Sequence, residues 1–382
     1  MIIALKITFI LATLIVGFYC LFLAIGLQGW LKLPQVTFFS KKEYYTKLSL
    51  LIAARNEEAT IGLCLADFAA QTYPKELMEI VVADDASADN TLGVIKDFVA
   101  ANPHLNIKVL EMKDEDGIIS YKKRALSAAI HASTGALIVT TDADCRFGPK
   151  RLEVIAQQYE DNPVSLLLLP VVFNNEKSLF EKIQSLEFTG IMGITAASAG
   201  LNRPVSSNGA NMAIERRLFE RIGGFDDPYA SGDDVFILYK TKEVAPKRIA
   251  FIKSTEAIVY TGAQKTMGGF FNQRVRWGAK AKGFSDVSAL VSILLLFFSN
   301  LAVTTVVILG LIFPPLIIPA LFIFGLKLIA DMVFLVPVTS FYKKAGLLPF
   351  YPLMSLWLPV YISITGILSL RGNYVWKGRK LR

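Results

Sequence analysis

Six aspartates fall in three short clusters, Asp84-Asp85, Asp142-Ala143-Asp144 and Asp233-Asp234. The first two clusters each follow an apolar run, IVVA and ALIVTT. Taken singly, an acidic pair after such a run is a solvated turn or a cap for the next helix, and Asp89 with Asn90 fits that reading. Two acidic clusters at two strand ends of one sheet ask for more. Carboxylates brought together without cations repel and raise one another's pKa. A divalent cation removes that cost, and hard oxygen ligands suit Mg2+ or Mn2+. Such ions usually hold one or two protein carboxylates and take their other ligands from substrate phosphates and water. The expected substrate therefore carries phosphate. Asp233 and Asp234 open a helix expected over Val235–Val244, where one of the two serves as a cap.

These clusters need a frame, and residues 47–285 supply one. LSLLIAA (48–54) is a short buried strand, followed by an amphipathic stretch from Asn56 to Gln71. MEIVVADD, a helix from Thr91 to Ala101, NIKVLEM, a helix across Arg124–Ala132 and ALIVTTDAD continue the alternation. Strand–helix alternation at this spacing predicts an α/β fold, a mostly parallel sheet covered by helices. In such sheets ligands bind beyond the carboxyl ends of the strands, where the acidic clusters lie. No GxGxxG follows the first strand and no GxxxxGK[ST] occurs, which argues against dinucleotide and P-loop chemistry.

The chain has 382 residues, 53% hydrophobic and 19% charged, with a formal charge of +8. That composition excludes disordered and low-complexity classes. Three cysteines without CxxC spacing and two histidines give neither a disulfide framework nor a multi-histidine metal site. Cys145, beside the second cluster, reads as a small buried residue and not a nucleophile; His104 and His131 are assigned no role. Basic residues in so apolar a chain point to membrane flanks and not to nucleic acid. Ile7–Leu27 carries no charge and is long enough to span a bilayer; it is expected to be an N-terminal anchor over 1–30, a cleaved signal peptide being the rival. Ser288–Phe313, Pro315–Phe341 and Leu347–Leu370 form further apolar segments within 287–370. Lys327 and Asp331, four residues apart on one helical face, are expected to pair with each other. Lys41, Lys42 and Lys47 place the middle of the chain in the cytoplasm. Three full C-terminal crossings would put the basic tail 371–382 outside, against the same rule, so one segment is expected to be re-entrant or interfacial.

The ordered set LIAARNEE, VVADDASADNT, KKRALSAAI, TTDADC, SNGANMAI with IGGFDD, SGDD and QRVRW resembles the membrane-bound family 2 glycosyltransferases with the GT-A nucleotide-sugar fold. The resemblance covers Leu51 to Trp277. It implies that Ala53, Ala54 and Glu57 line the nucleoside pocket, and that Asp85 contacts the base and ribose of UDP. Lys122 aligns with a lysine near the nucleotide, although KKRALS departs from the common GKAxALN and leaves Lys122 and Lys123 both open. Asp142 and Asp144 resemble the DxD motif, with Asp144 the main ligand of the metal. Asp233 and Asp234 stand at the family's ED pair, Asp234 as catalytic base. Gln273, Arg276 and Trp277 match QxxRW, which closes over the diphosphate and the acceptor entrance. Independently of the resemblance, GGFFNQRVRWGAKAKG reads as an interfacial helix presenting Arg274, Lys280 and Lys282 to anionic lipid.

The implied activity is inverting, metal-dependent transfer from a nucleotide sugar, expected to be a UDP-sugar. With about four apolar segments and a chain ending at Arg382, the expected acceptor is a membrane lipid or lipid-linked intermediate, and processive polysaccharide synthesis is the alternative. An inert membrane scaffold is disfavoured because both the DxD aspartates and the base position are kept. The expected location is the inner membrane of a bacterial cell, with the catalytic domain in the cytoplasm.

Overall fold

The structure, a computed structural model, describes residues 2–38, 43–115, 120–226, 231–369, 374–377 and 379–381. Lys41, Lys42, Asp227, Arg371 and Arg382, used above, lie outside the described residues. In chain order the elements begin with α1 (Ile2–Lys32), β1 (Leu48–Ala54), α2 (Ile61–Ala69), β2 (Met78–Asp85), α3 (Thr91–Ala101), β3 (Ile107–Met112) and α4 (Tyr121–His131). There follow β4 (Leu137–Thr140), β5 (Arg146–Phe147), α5 (Arg151–Asp161), β6 (Leu166–Leu168), β7 (Val171–Asn174), α6 (Leu179–Gly200), β8 (Met212–Glu215), α7 (Arg216–Arg221) and α8 (Asp233–Val244). The chain continues through β9 (Ile249–Phe251), β10 (Val259–Gly262), α9 (Met267–Ala279), α10 (Val287–Ile312), α11 (Ile317–Phe341), α12 (Tyr351–Ser369), β11 (Tyr374–Trp376) and β12 (Arg379–Leu381). They form two compact units: one comprises Met1–Lys32, Glu176–Val205 and Ala263–Tyr374, the other Leu33–Asn175, Ser206–Gly262 and Val375–Arg382.

The second unit holds a seven-stranded sheet of order β3-β2-β1-β4-β8-β6-β9. It is parallel except where β8 runs antiparallel between β4 and β6. The central strands are buried along nearly their whole length. That explains their continuous apolar spelling, since a sheet covered on both faces has no polar side to alternate with. A smaller sheet, β5-β10-β7, lies in the same unit. Helix starts follow local capping. Asp89 Oδ1 accepts from the Thr91 amide at 3.0 Å, so Asp89 caps α3 and Asn90, at the N-cap position, contributes no side-chain bond. The helix expected at Arg124 begins three residues earlier, at Tyr121, because Ser120 caps it through the Lys123 amide.

The other unit collects α1, α6, α9, α10, α11 and α12. Four of its helical segments, Ile2–Lys32, Val287–Ile312, Pro314–Phe341 and Ala345–Ser369, are long and apolar enough to cross a membrane. Val16, Val303, Val306 and Ile323 form an apolar core among α1, α10 and α11. Lys327 and Asp331 pair at 2.7 Å. Tyr19 donates to Asp331 at 2.5 Å, and Tyr351 also donates to this carboxylate. The charge pair is thus fully partnered inside the helical unit, as a structural ion pair requires. Arg274 corrects the lipid-facing reading of α9. It is buried, pairs with Glu187 at 2.8 Å and stacks on Phe270 and Trp277; Tyr361 donates to the same glutamate.

Candidate active site

The loops after β1 and β2 are stitched together. Asn56 Oδ1 accepts from the Ala88 amide at 2.8 Å, and the Glu57 amide donates to Thr91 Oγ1 at 2.7 Å. Asn56 and Ala86 both adopt left-handed backbone, with φ of +52°, a conformation that non-glycine residues hold mainly at constrained sites. Ala53 and Ala54 end β1 in register with Ala83 and Asp84. This crossover of short loops presents Glu57 beside the strand ends.

Asp142 and Asp144 follow β4, in a turn closed by the Cys145 amide donating to the Asp142 carbonyl at 3.1 Å. Arg151, fully buried, braces this turn. Its Nη2 donates to Thr141 Oγ1 and to Asn211 Oδ1, both at 2.9 Å, and Asn211 in turn donates to the carbonyls of Pro170 and Ala257. Burial pulls the Arg151 pKa down to about 10. Asp144 Oδ2 accepts from Thr261 of β10 at 3.0 Å. Burial, then the charges of Asp142 and Glu57, push the Asp144 carboxyl up to about 6, with Thr261 and Lys377 acting the other way. Two neighbouring carboxylates built of hard oxygens, one of them with its pKa raised, suit a divalent cation. Among the described residues no group of three or more His, Cys, Asp or Glu is arranged to hold a metal ion. An ion on Asp142 and Asp144 would therefore need further ligands from a substrate.

The two lysines left open by sequence lie in different surroundings, Lys122 among the aspartates. Its Nζ lies 2.8 Å from Asp142 Oδ1 and 3.3 Å from Asp233 Oδ2. Burial alone would lower its pKa, but the aspartates prevail and raise it. Lys123 instead stands over the Phe236 ring, 5.3 Å from its centroid. The lysine therefore ties the acidic turn after β4 to the first turn of α8. That helix starts two residues before the expected Val235, and its N-cap is Gly232 at φ +98°, so neither aspartate holds the N-cap position. A Cβ at Gly232 would meet the Phe236 ring at 2.7 Å, and the left-handed φ itself favours glycine. Asp234 accepts from the Val235 amide of the first turn on Oδ1 at 2.9 Å and from the Gly209 amide on Oδ2 at 3.2 Å.

Asp85 lies apart from this group, 1% exposed in its side chain, with Arg124 Nη2 at 3.5 Å and Arg379 Nη1 at 2.6 Å. Burial raises its pKa despite these cations. Gln273, Arg276 and Trp277 belong to the helical unit, spaced i, i+3 and i+4 on α9. Gln273 Oε1 accepts from Arg274 at 2.6 Å, and Trp277 packs on Phe188. Arg151, Thr261, Lys377 and Arg379 were not singled out by sequence. An arginine on the apolar face of α5 was the one legible signal among them.

Residues 49–223 match Glycosyl transferase family 2, and residues 137–342 match Glycosyl transferase family group 2. The chain belongs to the family 2 glycosyltransferases and is an enzyme of that family. The poly-beta-1,6-N-acetyl-D-glucosamine synthase of Staphylococcus epidermidis is 23% identical over 240 residues, 62% of this chain and 55% of that protein. Glycosyltransferase AglE of Haloferax volcanii is 29% identical over 190 residues, 49% of this chain and 59% of that protein. The chain thus spans little more than half the length of the curated relatives it matches. Mannosyltransferase PcManGT from Pyrobaculum calidifontis, solved with GDP-Man and Mn2+, aligns with a TM-score of 0.58 at 20% identity, covering 96% of this chain and 97% of that one. The fold is GT-A.

Proposed function

We propose that the enzyme moves a sugar from a UDP-sugar to a hydroxyl of a membrane lipid or lipid-linked acceptor, with inversion and with a divalent metal, at the cytoplasmic face. The observation that carries this reading is Lys122, which sets Asp142 and Asp233 on one ammonium and so brings the acidic turn beside the helix that bears Asp234. Asp142 and Asp144 would hold Mn2+ or Mg2+, which when bound offsets negative charge developing on the departing diphosphate. Glu57 and the ends of β1 line the nucleoside side. Asp234, its Oδ2 fixed by the Gly209 amide, takes the proton from the acceptor hydroxyl as that oxygen attacks the anomeric carbon. A single displacement of this kind inverts the centre. Gln273, Arg276 and Trp277 are assigned to the diphosphate and the acceptor entrance, Arg276 through charge-assisted bonds.

Contacts within the helical unit support a reading of the membrane topology. Lys344, just after α11, pairs with Glu176 at 2.6 Å, and Ser369 at the end of α12 donates to the Val275 carbonyl at 3.3 Å. Val275 lies on α9, the helix that leads into α10, and we take both ends of α12 to return to the side from which α10 departs. We assign α1, α10 and α11 as crossings and α12 as re-entrant, which keeps the basic tail in the cytoplasm.

Similarity to poly-N-acetylglucosamine synthases favours a second reading, processive polymer synthesis, at the same catalytic residues. Asp144→Ala and Asp234→Ala test the shared site. Both should abolish sugar transfer while membrane insertion persists, and wild-type rates in both would remove the assignment.

A further inference from the structure

The C-terminal hairpin of β11 and β12 delivers two cations to the carboxylates of the catalytic unit. Lys377 Nζ lies 2.7 Å from Glu57 Oε1 and donates to the Asn56 carbonyl at 3.4 Å. Arg379 pairs with Asp85 at 2.6 Å and with Asp114, and its guanidinium stacks 3.5 Å from the Tyr121 ring centroid. We propose that this hairpin is a wall of the donor site, with Arg379 the positioning residue that anchors it and Lys377 a binding residue for the diphosphate of the nucleotide sugar. The inference rests on the donor reading above.

The two cations differ in the way this division of labour requires. Arg379 is 11% exposed on a carboxylate that is 1% exposed, with an aromatic face beneath it. Breaking a buried pair leaves an uncompensated charge, so such a contact anchors and does not exchange. Lys377 is 34% exposed and has one carboxylate partner among the described residues. Exchanging Glu57 for a phosphate oxygen keeps a charge-assisted bond on the ammonium, at little cost in a half-open setting. Lys377 also holds a left-handed φ of +46° at the turn, a strained backbone of the kind retained at ligand clamps. Glu57, Asp142 and Asp144 offer the arriving diphosphate negative charge, and Lys122 is already shared by two aspartates. A second ammonium from the tail supplies what the strand ends lack.

The test is steady-state nucleotide release by the full chain in lipid micelles, wild type against Lys377→Ala and Lys377→Arg. A lost charge-assisted bond to phosphate should raise the KM for the sugar nucleotide about tenfold or more in Lys377→Ala, with kcat much less affected. Lys377→Arg should restore most of it. Arg379→Ala should raise the same KM, and Lys377→Ala should unfold at the wild-type temperature. An unchanged KM in Lys377→Ala overturns the assignment. A lowered KM there or in a chain ending at residue 373 overturns it too, and makes the hairpin a plug that competes with the donor. If the wild type turns over no sugar nucleotide, the donor reading fails and this inference with it; turnover with an insensitive Lys377 removes this inference alone.

Discussion

The Gly209 amide donates a hydrogen bond to Oδ2 of Asp234 at 3.2 Å, across 25 residues of sequence. It fixes one oxygen of the carboxylate to the backbone beside β8. The other oxygen, Oδ1, accepts from the Val235 amide at 2.9 Å, so Asp234 sits in the first turn of α8 with both oxygens held by backbone amides.

Asp234→Asn keeps the size and the Gly209 contact but removes the base. We expect kcat to fall by about 10²–10⁴-fold, the range that a positioned general base contributes. Binding of UDP, measured by titration calorimetry, should stay within a few-fold of wild type. Loss of UDP binding in place of turnover would move Asp234 from the base role to the donor pocket.

Gly209→Ala probes the same contact from the other side. A Cβ at this position would lie 3.0 Å from Asp233 Oδ2 and 3.6 Å from both Asp234 Cβ and Lys122 Nζ. The added atom asks Asp233 to give by a few tenths of an ångström and makes only ordinary contact with Asp234, well short of the ångström of misplacement that costs about 10²-fold in rate. The variant should lose clearly less turnover than that while its unfolding temperature barely moves, checked by assay and scanning calorimetry in parallel.

Arg274 is predicted to matter for folding. It is buried on Glu187, and removing one member of a buried pair costs about 3–5 kcal/mol. Arg274→Ala should therefore destabilise the detergent-extracted protein strongly, and Arg274→Lys should not rescue it, because the stack on Phe270 and Trp277 needs a planar group. Equal stability with weaker binding to anionic vesicles would restore the lipid-facing role.

Glu79 sets an acid limit. Burial alone would raise its pKa, yet bonds from the Thr134 amide, Ser49, Lys108 and the Thr134 hydroxyl hold it at about 2, below the ordinary 4.5. A carboxyl depressed in the folded state adds stability above its unfolded pKa and loses it as pH falls toward the folded value. The contribution, about 3 kcal/mol at neutral pH, should drain away between pH 4.5 and pH 2. Denaturant midpoints should drop over that window in the wild type, whereas Glu79→Gln should be less stable at neutral pH and flatter below it.

The parts of this molecule legible in its sequence are those written locally. Strands β1, β2 and β4 are mainly apolar runs, and the acidic clusters that end β2 and follow β4 announce themselves by type and position. Four apolar segments mark the long helices in the same way. Long-range partners were not legible. Lys377 and Arg379 read as charges flanking a membrane, because nothing near residue 377 shows that it meets Glu57, 320 residues earlier. Arg274 read as a lipid contact because its partner lies 87 residues away on α6. The start of α8 was misplaced for a local reason: aspartate is a good N-cap by type, but a glycine able to adopt φ +98° took the position first.

The most direct measurement is a donor screen on the purified full chain in native-lipid micelles, with and without Mn2+, following nucleotide release and the fate of labelled sugar. The account predicts metal-dependent release of UDP with label in an organic-soluble lipid. Label in a long water-soluble polymer would replace the lipid acceptor with processive synthesis, and no turnover of any nucleotide sugar would contradict the central claim.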